Sequence, residues 1–258
     1  MTKIKDAFNN GKSFIPYITA GYPDIETTEK LILAMAEEGA DLIEIGIPFS
    51  DPTAEGPVIQ NAIETALSQG LKTDDVFDMV GRLREKIDIP LVFMTYANIV
   101  YGYGAERFME KSEQVGIQGL ILPDVPFEEK EEFSRLARQH DIEMISLVSP
   151  TSKERITKIA QEAEGFIYVV SSLGVTGTRS EITTDLSEMI EVIRSADPEL
   201  PAAIGFGISG PEQAQEMSRY ADGVIVGSAI IQLIDEYGEE AEEPVRQFTR
   251  DIKAAVNR

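Results

Sequence analysis

A closed (β/α)8 barrel is the fold this sequence predicts. Three observations carry it. Short apolar, β-branched runs alternate with amphipathic segments from one end to the other. Eight such runs can be counted, and 258 residues is a length at which a barrel of this kind forms one domain, here taken as 1–258.

The runs are "SFIPYIT" from Ser13, "DLIEIG" from Asp41, "PLVFMTY" from Pro90, "GLILP" from Gly119, "EMISLVS" from Glu143, "GFIYVVS" from Gly165, "PAAIGFG" from Pro201 and "DGVIVGS" from Asp222. All are of strand length. An open doubly wound sheet usually has fewer strands and leaves edges exposed, so closure is the more economical arrangement.

The segments between the runs read as helices. Phe133, Leu136, Ala137 and His140 fall on one face, as do Ile156, Ile159, Ala160 and Ala163. Asp24, Ser152 and Asp185 stand where N-caps belong, Pro211 follows Gly210 just inside a helix, and Gly39, Gly116 and Gly165 fall at helix ends. Extra short helices are expected at the N-terminus and, as "SAIIQLIDEYG", before the last helix. The acidic "EEAEEP" from Glu239 reads as the solvated start of that last helix.

Composition narrows the function. Lys and Arg total 23 against 45 Asp and Glu, a formal charge of -22, which repels nucleic acid and anionic membrane alike. Any anionic ligand must then be held by oriented backbone N–H groups. The absence of cysteine excludes disulfides, thiolate metal sites and a cysteine nucleophile. With no apolar leader and no membrane-length apolar run, a cytoplasmic protein without a metal site is expected.

In the second run, Ile43 and Ile45 would face the helices while Leu42, Glu44 and Gly46 face the lumen. Glu44 then lies near the C-terminal end of its strand, the face on which barrel enzymes build active sites. A Glu paired with a buried Lys or Arg is the bland alternative, yet no basic residue occurs from Asp41 through Leu71. The following loop, "PFSDPTAEGP", adds Asp51 and Glu55 on a segment stiffened by three prolines. Two acids at one pocket can divide general acid and base roles, although Asp51 also suits an Asx turn and Glu55 a helix first turn. The lone His140 ends a helix leading into the fifth run, which puts it at the opposite face.

The last three βα turns, "GVTGT" from Gly174, "GFGIS" from Gly205 and "VGSA" from Val226, are glycine-rich and precede the extra short helix. Barrels commonly bind phosphate in this position, with Gly205, Gly207, Gly227 and Ser228 offering N–H groups and a hydroxyl. Glycine turns also serve purely steric ends. The expected substrate class is a sugar phosphate or similar small anion.

The segments "FIPYITAGYPD", "IEIGIPFSDPTAEGPVIQ", "PLVFMTYANIV", "LILPDVPFEE", "GFIYVVSSLGVTGT", "IGFGIS" and "DGVIVGSAI" together make the chain resemble the tryptophan synthase α subunit family over essentially its whole length. The resemblance implies a lyase that cleaves indole-3-glycerol phosphate by a retro-aldol reaction into indole and glyceraldehyde 3-phosphate. No cofactor is implied for this chain. Indole would pass to a β subunit carrying pyridoxal phosphate, in an α2β2 heterotetramer.

Matched motif by motif, Glu44 looks like the acid/base that takes the glycerol hydroxyl proton and protonates indole C3. Glu55 matches the carboxylate that stabilises the indole N–H, and Tyr168 the tyrosine beside them. Tyr17, Met94 and Tyr96 would line an indole slot, with ordinary barrel core as the alternative. Thr176 and Gly177 match the loop that closes over substrate, Gly177 joining the phosphate set. Asp51, Asn98, Tyr101 and Pro126 fall on loops facing the partner. Three positions depart from the family pattern: Glu55 where Asp is usual, Thr53 where an aliphatic residue is common, and Ser172 where Arg often stands. The departures put geometry in question more than acidity. Two other readings stand beside the lyase: a non-catalytic phosphate-binding activator of a β subunit, and another sugar-phosphate barrel enzyme such as an isomerase, whose known forms would want a cysteine.

Overall fold

The computed structural model describes residues 3–170, 179–205 and 207–258, with 179–185 described as backbone only. Its strands are β1 (Ser13–Thr19), β2 (Ile43–Gly46), β3 (Leu91–Met94), β4 (Gly119–Ile121), β5 (Glu143–Met144), β6 (Ser146–Val148), β7 (Ile167–Val170), β8 (Ala202–Gly205) and β9 (Gly223–Val226). All pairings are parallel, in the order β5-β4-β3-β2-β1-β9-β8-β7-β6.

The two ends of that order are one stretch of chain. The fifth run of the sequence divides at Ile145: Glu143 and Met144 pair with β4, and Ser146 to Val148 pair with β7. The Ile145 N–H donates to the Leu120 carbonyl at 3.0 Å, so the run crosses from one neighbour to the other without a gap. Strands in a closed barrel are tilted and staggered, and a run that meets its neighbours at different heights is recorded as two short pieces. Eight runs thus close the (β/α)8 barrel.

Side chains sort as alternation demands. Ile15, Leu42, Val92, Ile121, Ile145, Phe166, Ala203 and Ile225 form the lumen cluster, while Phe14, Ile18, Ile43, Ile45 and Phe93 pack outward against the helices. The N-terminal 3-10 helix Ile4–Phe8 stops the lower end: Ile4 is 1% exposed and joins the lumen cluster, and Phe8 packs on Phe166 with ring centroids 5.6 Å apart. A Cβ on Gly119 would lie 2.8 Å from both the Ile4 Cδ1 and the Val92 Cγ1, so a side chain there would force the plug and the lumen to repack.

The helices are α1 (Ile25–Glu37), α2 (Pro57–Ser68), α3 (Thr73–Arg84), α4 (Ala97–Tyr103), α5 (Ala105–Gln114), α6 (Glu131–Gln139), α7 (Lys153–Gln161), α8 (Arg179–Ala196), α9 (Pro211–Ser218), α10 (Ser228–Tyr237) and α11 (Glu242–Val256). Asp24 and Ser152 accept the N–H groups of Thr27 and Arg155, as N-caps should. Asp185 is not a cap. α8 begins at Arg179, because nothing from there to Thr184 breaks a helix, and Asp185 lies in its interior. Gly39 and Gly116 take the left-handed conformation just past α1 and α5, whereas Gly165 does so in the turn after α7 has already ended at Gln161. The acidic stretch forms a 3-10 turn, Gly238–Glu240, before α11 begins. Among the described residues no helix is long and apolar enough to cross a membrane, and no cluster of His, Cys, Asp or Glu is arranged to hold a metal ion.

Candidate active site

At the C-terminal mouth, β1 and β2 bring Tyr17 and Glu44 side by side as register partners. Glu44 is 1% exposed, and neither carboxylate oxygen has a hydrogen-bond partner among the described residues. No cation among the described residues pairs with it. Burial, and secondarily the charge of Glu55, pushes its pKa from the ordinary 4.5 to about 8, so it carries a proton at neutral pH. A buried carboxyl without a structural partner, standing at the end of a barrel strand, is poised for proton transfer.

Glu55 is half-buried in the loop after β2. Burial raises its pKa, and the Tyr96 hydroxyl, which donates to its carboxylate, lowers it again. The same hydroxyl accepts the N–H groups of Thr53 and Ala54, each at 2.9 Å, so one Tyr oxygen uses its donor and both lone pairs on a single loop. Phe49, at the start of that loop, packs on the Tyr96 ring with centroids 5.1 Å apart. Tyr96 thus holds the acid-bearing segment rather than simply lining an apolar slot.

Tyr168 stands half-buried on β7, its phenol held neutral chiefly by burial. It forms part of the wall of a cavity of about 570 Å³, together with Ala54, Met94, Leu122, Leu147 and Val148. Met94 faces the cavity, while Tyr17 is buried beside Glu44 with its hydroxyl 3.2 Å from the Thr19 hydroxyl. The sequence reading missed Leu122 and Leu147. Leu147 follows the inward register of the fifth run, two positions after Ile145, whereas Leu122 lies just past β4 and out of the inward register that Ile121 keeps, so alternation gave no signal for it.

Two glycines make room for the tyrosines. A Cβ on Gly46 would collide with the Tyr17 ring, and one on Gly205 would fall 2.5 Å from both Cε1 and the hydroxyl of Tyr168. Gly205, expected as a phosphate donor, therefore also has a steric duty within β8.

Gly227 caps α10, and the N–H groups of Ile230 and Ile231 turn back to its carbonyl. That leaves the first N–H groups of the helix, at Ser228 and Ala229, directed outward, with exposed Ser228 adding a hydroxyl. The close approach of Gly227 to the Tyr17 ring ties this helix end to the wall that bears Glu44. Gly207 is exposed with φ 76°, a conformation suited to glycine. Thr176, Gly177 and Ser172 lie outside the described residues.

Asp51, Asn98, Tyr101 and Pro126 are all exposed, on segments that follow β2, β3 and β4 at this same end. Tyr101 is 49% exposed, although its ring also rests on Phe133. His140 ends α6 at the other face, where Glu113 and Glu106 contact its ring nitrogens at 2.6 and 3.6 Å.

A parallel barrel that carries carboxyls, an apolar cavity and an open helix N-terminus at its C-terminal mouth has the layout of the barrel enzymes that act on sugar phosphates. Residues 4–257 match the family model described as tryptophan synthase alpha chain. The tryptophan synthase alpha chain of Lactiplantibacillus plantarum is 49% identical over 258 residues, covering 100% of this chain and 97% of that one. That of Lacticaseibacillus casei is 46% identical, covering 100% and 96%. The crystal structure of the alpha chain from Legionella pneumophila subsp. pneumophila superposes with a TM-score of 0.88 at 36% identity, covering 99% and 97%. The chain belongs to the tryptophan synthase alpha chain family, and its activity is that family's lyase reaction, the cleavage of indole-3-glycerol phosphate.

Proposed function

We propose that Glu44 carries both proton transfers of this cleavage, with Glu55 and Tyr168 beside it. The observation that supports the reading is a fully buried carboxyl with no hydrogen-bond partner among the described residues and a pKa of about 8. Protonated Glu44 delivers its proton to indole C3, which leaves the ring an indolium cation. Ionised Glu55 accepts the indole N–H and stabilises that positive charge. The Glu44 carboxylate then removes the proton of the glycerol hydroxyl next to the scissile bond. As the carbonyl forms, the carbon–carbon bond breaks and its electron pair returns to the ring. One proton leaves Glu44 and one comes back, so the residue ends as it began.

In this reading the indole ring occupies the cavity bounded by Met94, Leu122 and Leu147. The phosphate sits on the Ser228 end of α10, with Gly207 and Gly227 in the adjoining turns. This end uses helix-oriented N–H groups rather than side-chain cations, which suits a mouth whose nearby ionisable groups are acidic. The step needs no cofactor in this chain. Pyridoxal phosphate belongs to the β partner, which docks on the face formed by Asp51, Asn98, Tyr101 and Pro126 in a cytoplasmic α2β2 assembly.

The test is indole release from indole-3-glycerol phosphate by wild type and Glu44→Gln, with and without β subunit. Loss of about 10²–10⁴-fold in kcat in the variant is expected for removal of a general acid/base. Equal release by the two proteins would remove Glu44 from the chemistry.

A further inference from the structure

A cavity of about 850 Å³ opens at the N-terminal end of the barrel, away from the mouth. Five cations line it, Lys5, Lys12, Arg194, Arg219 and Arg258, against two acids, Glu199 and Asp222. The whole chain has only 23 Lys and Arg among 45 acids, so this is a local reversal of its charge. We propose that the cavity is a binding site for a compact, multiply charged anion of the polyphosphate class.

The cations arrive from five separate places in the chain: the N-terminal 3-10 helix, the segment before β1, the last turn of α8, the end of α9 and the second residue past α11. A cation at a helix C-terminus answers the negative end of the helix dipole, which accounts for one residue each on α8, α9 and α11. Lys12 donates to the Ala221 carbonyl at 2.6 Å and lies near Asp222, and Lys5 stands in the last turn of its 3-10 helix. Two acids in the lining do not balance five cations. Asp222 is already committed to Arg194 at 3.4 Å, Lys12 at 4.0 Å and the Ala202 N–H at 3.0 Å. Lys5, Arg219 and Arg258 are exposed and make no ion pair with a described residue.

Charges of one sign gathered in a concave wall reinforce one another's field, and the free energy of bringing them together is recovered when an anion of matching charge enters. Guanidinium groups supply planar paired donors that suit phosphate oxygens. The concave shape favours a compact ion over the flat acidic surface of a protein.

The test is calorimetric titration of tripolyphosphate into the full chain carrying Ser228→Asp, which places a negative charge at the α10 end and keeps phosphate from the mouth. Saturable 1:1 binding tighter than about 1 mM is expected. Adding Arg219→Glu and Arg258→Glu, both exposed and outside the catalytic mouth, should weaken it by about tenfold or more, with steep loss on added salt. Circular dichroism reports whether each variant is folded. The proposal is overturned if no saturable binding occurs, if the charge reversals leave the affinity unchanged, or if a poly-glutamate peptide binds and tripolyphosphate does not.

Discussion

The hydroxyl of Tyr96 and the carboxylate of Glu55 are joined by a hydrogen bond between residues 41 positions apart. That bond places the second acid of the mouth. Because the same oxygen accepts the Thr53 and Ala54 N–H groups, position and acidity of Glu55 both depend on one phenol.

Tyr96→Phe separates those two effects. The loop loses an acceptor for two N–H groups, which costs about 1–3 kcal/mol of stability if they stay dry. The Tyr96 hydrogen bond lowers the Glu55 pKa, so its loss raises it. Glu55 must be ionised to stabilise the indolium, and the acid limb of the kcat/KM profile should therefore move to higher pH. We expect kcat to fall by about 10–100-fold from misplacement of the carboxylate. A pH-rate comparison of the two proteins checks both; an unmoved acid limb would show that Tyr96 does not tune Glu55.

Glu44 sets a second pH dependence, in stability. Its folded pKa of about 8 lies above the ordinary 4.5, so between these values the native state holds a proton that the unfolded chain has released. Native stability must then fall as pH rises through that window, by about 1.4 kcal/mol per pH unit for this group alone. Glu44→Gln removes the slope while keeping the shape. Relative to wild type, its stability should improve from pH 5 to pH 8 by roughly 3–4 kcal/mol, even as activity is lost. Urea unfolding at several pH values measures this, and a pH-independent difference between the two proteins would mean that Glu44 is not held protonated.

Much of this site was legible in the sequence because it depends on alternation. Once "DLIEIG" is a barrel strand, Glu44 must point where Leu42 points, and the lumen cluster contains Leu42. What could not be read depends on reach across the fold. Tyr96 follows the third run, and its place on a strand end suggested an apolar wall; only the path of the 49–56 loop brings backbone N–H groups and Glu55 to its hydroxyl. Asp185 looked like a cap because local patterning cannot tell a capping Asp from one inside a longer helix, and α8 begins earlier at Arg179. The division of the fifth run at Ile145 follows from barrel stagger, which no single strand encodes. The basic cavity was invisible for a related reason, since its cations are scattered from Lys5 to Arg258.

The contact of Gly205 with Tyr168 predicts a site-specific cost for one methyl group. In Gly205→Ala the new Cβ would fall 2.5 Å from the Tyr168 ring, which must tilt toward Glu44 or the cavity. Overpacking of this kind costs about 1–3 kcal/mol. Tyr168→Ala in the same chain removes the obstacle, so the two substitutions should couple by about 1 kcal/mol or more in the relieving direction. Chemical unfolding of both single variants and the double variant gives the coupling, and strict additivity would mean that Gly205 has no steric role.

The α10 N-terminus makes a prediction in which stability and function move oppositely. Ser228 is the first residue of the helix and is exposed. A carboxylate there meets the positive end of the helix dipole, so Ser228→Asp should stabilise the free protein by about 0.3–1 kcal/mol. The same carboxylate would occupy the ground proposed for the substrate phosphate and repel it. Phosphate binding that is equal in ground and transition states appears in KM, so KM for indole-3-glycerol phosphate should rise by about tenfold or more while kcat changes little. Ser228→Ala controls for the hydroxyl alone and should raise KM by less, because the backbone N–H groups remain. A higher melting temperature together with an unchanged KM in Ser228→Asp would move the phosphate away from this helix end, since a negative charge that the helix welcomes cannot share its N-terminus with a second anion at no cost in affinity.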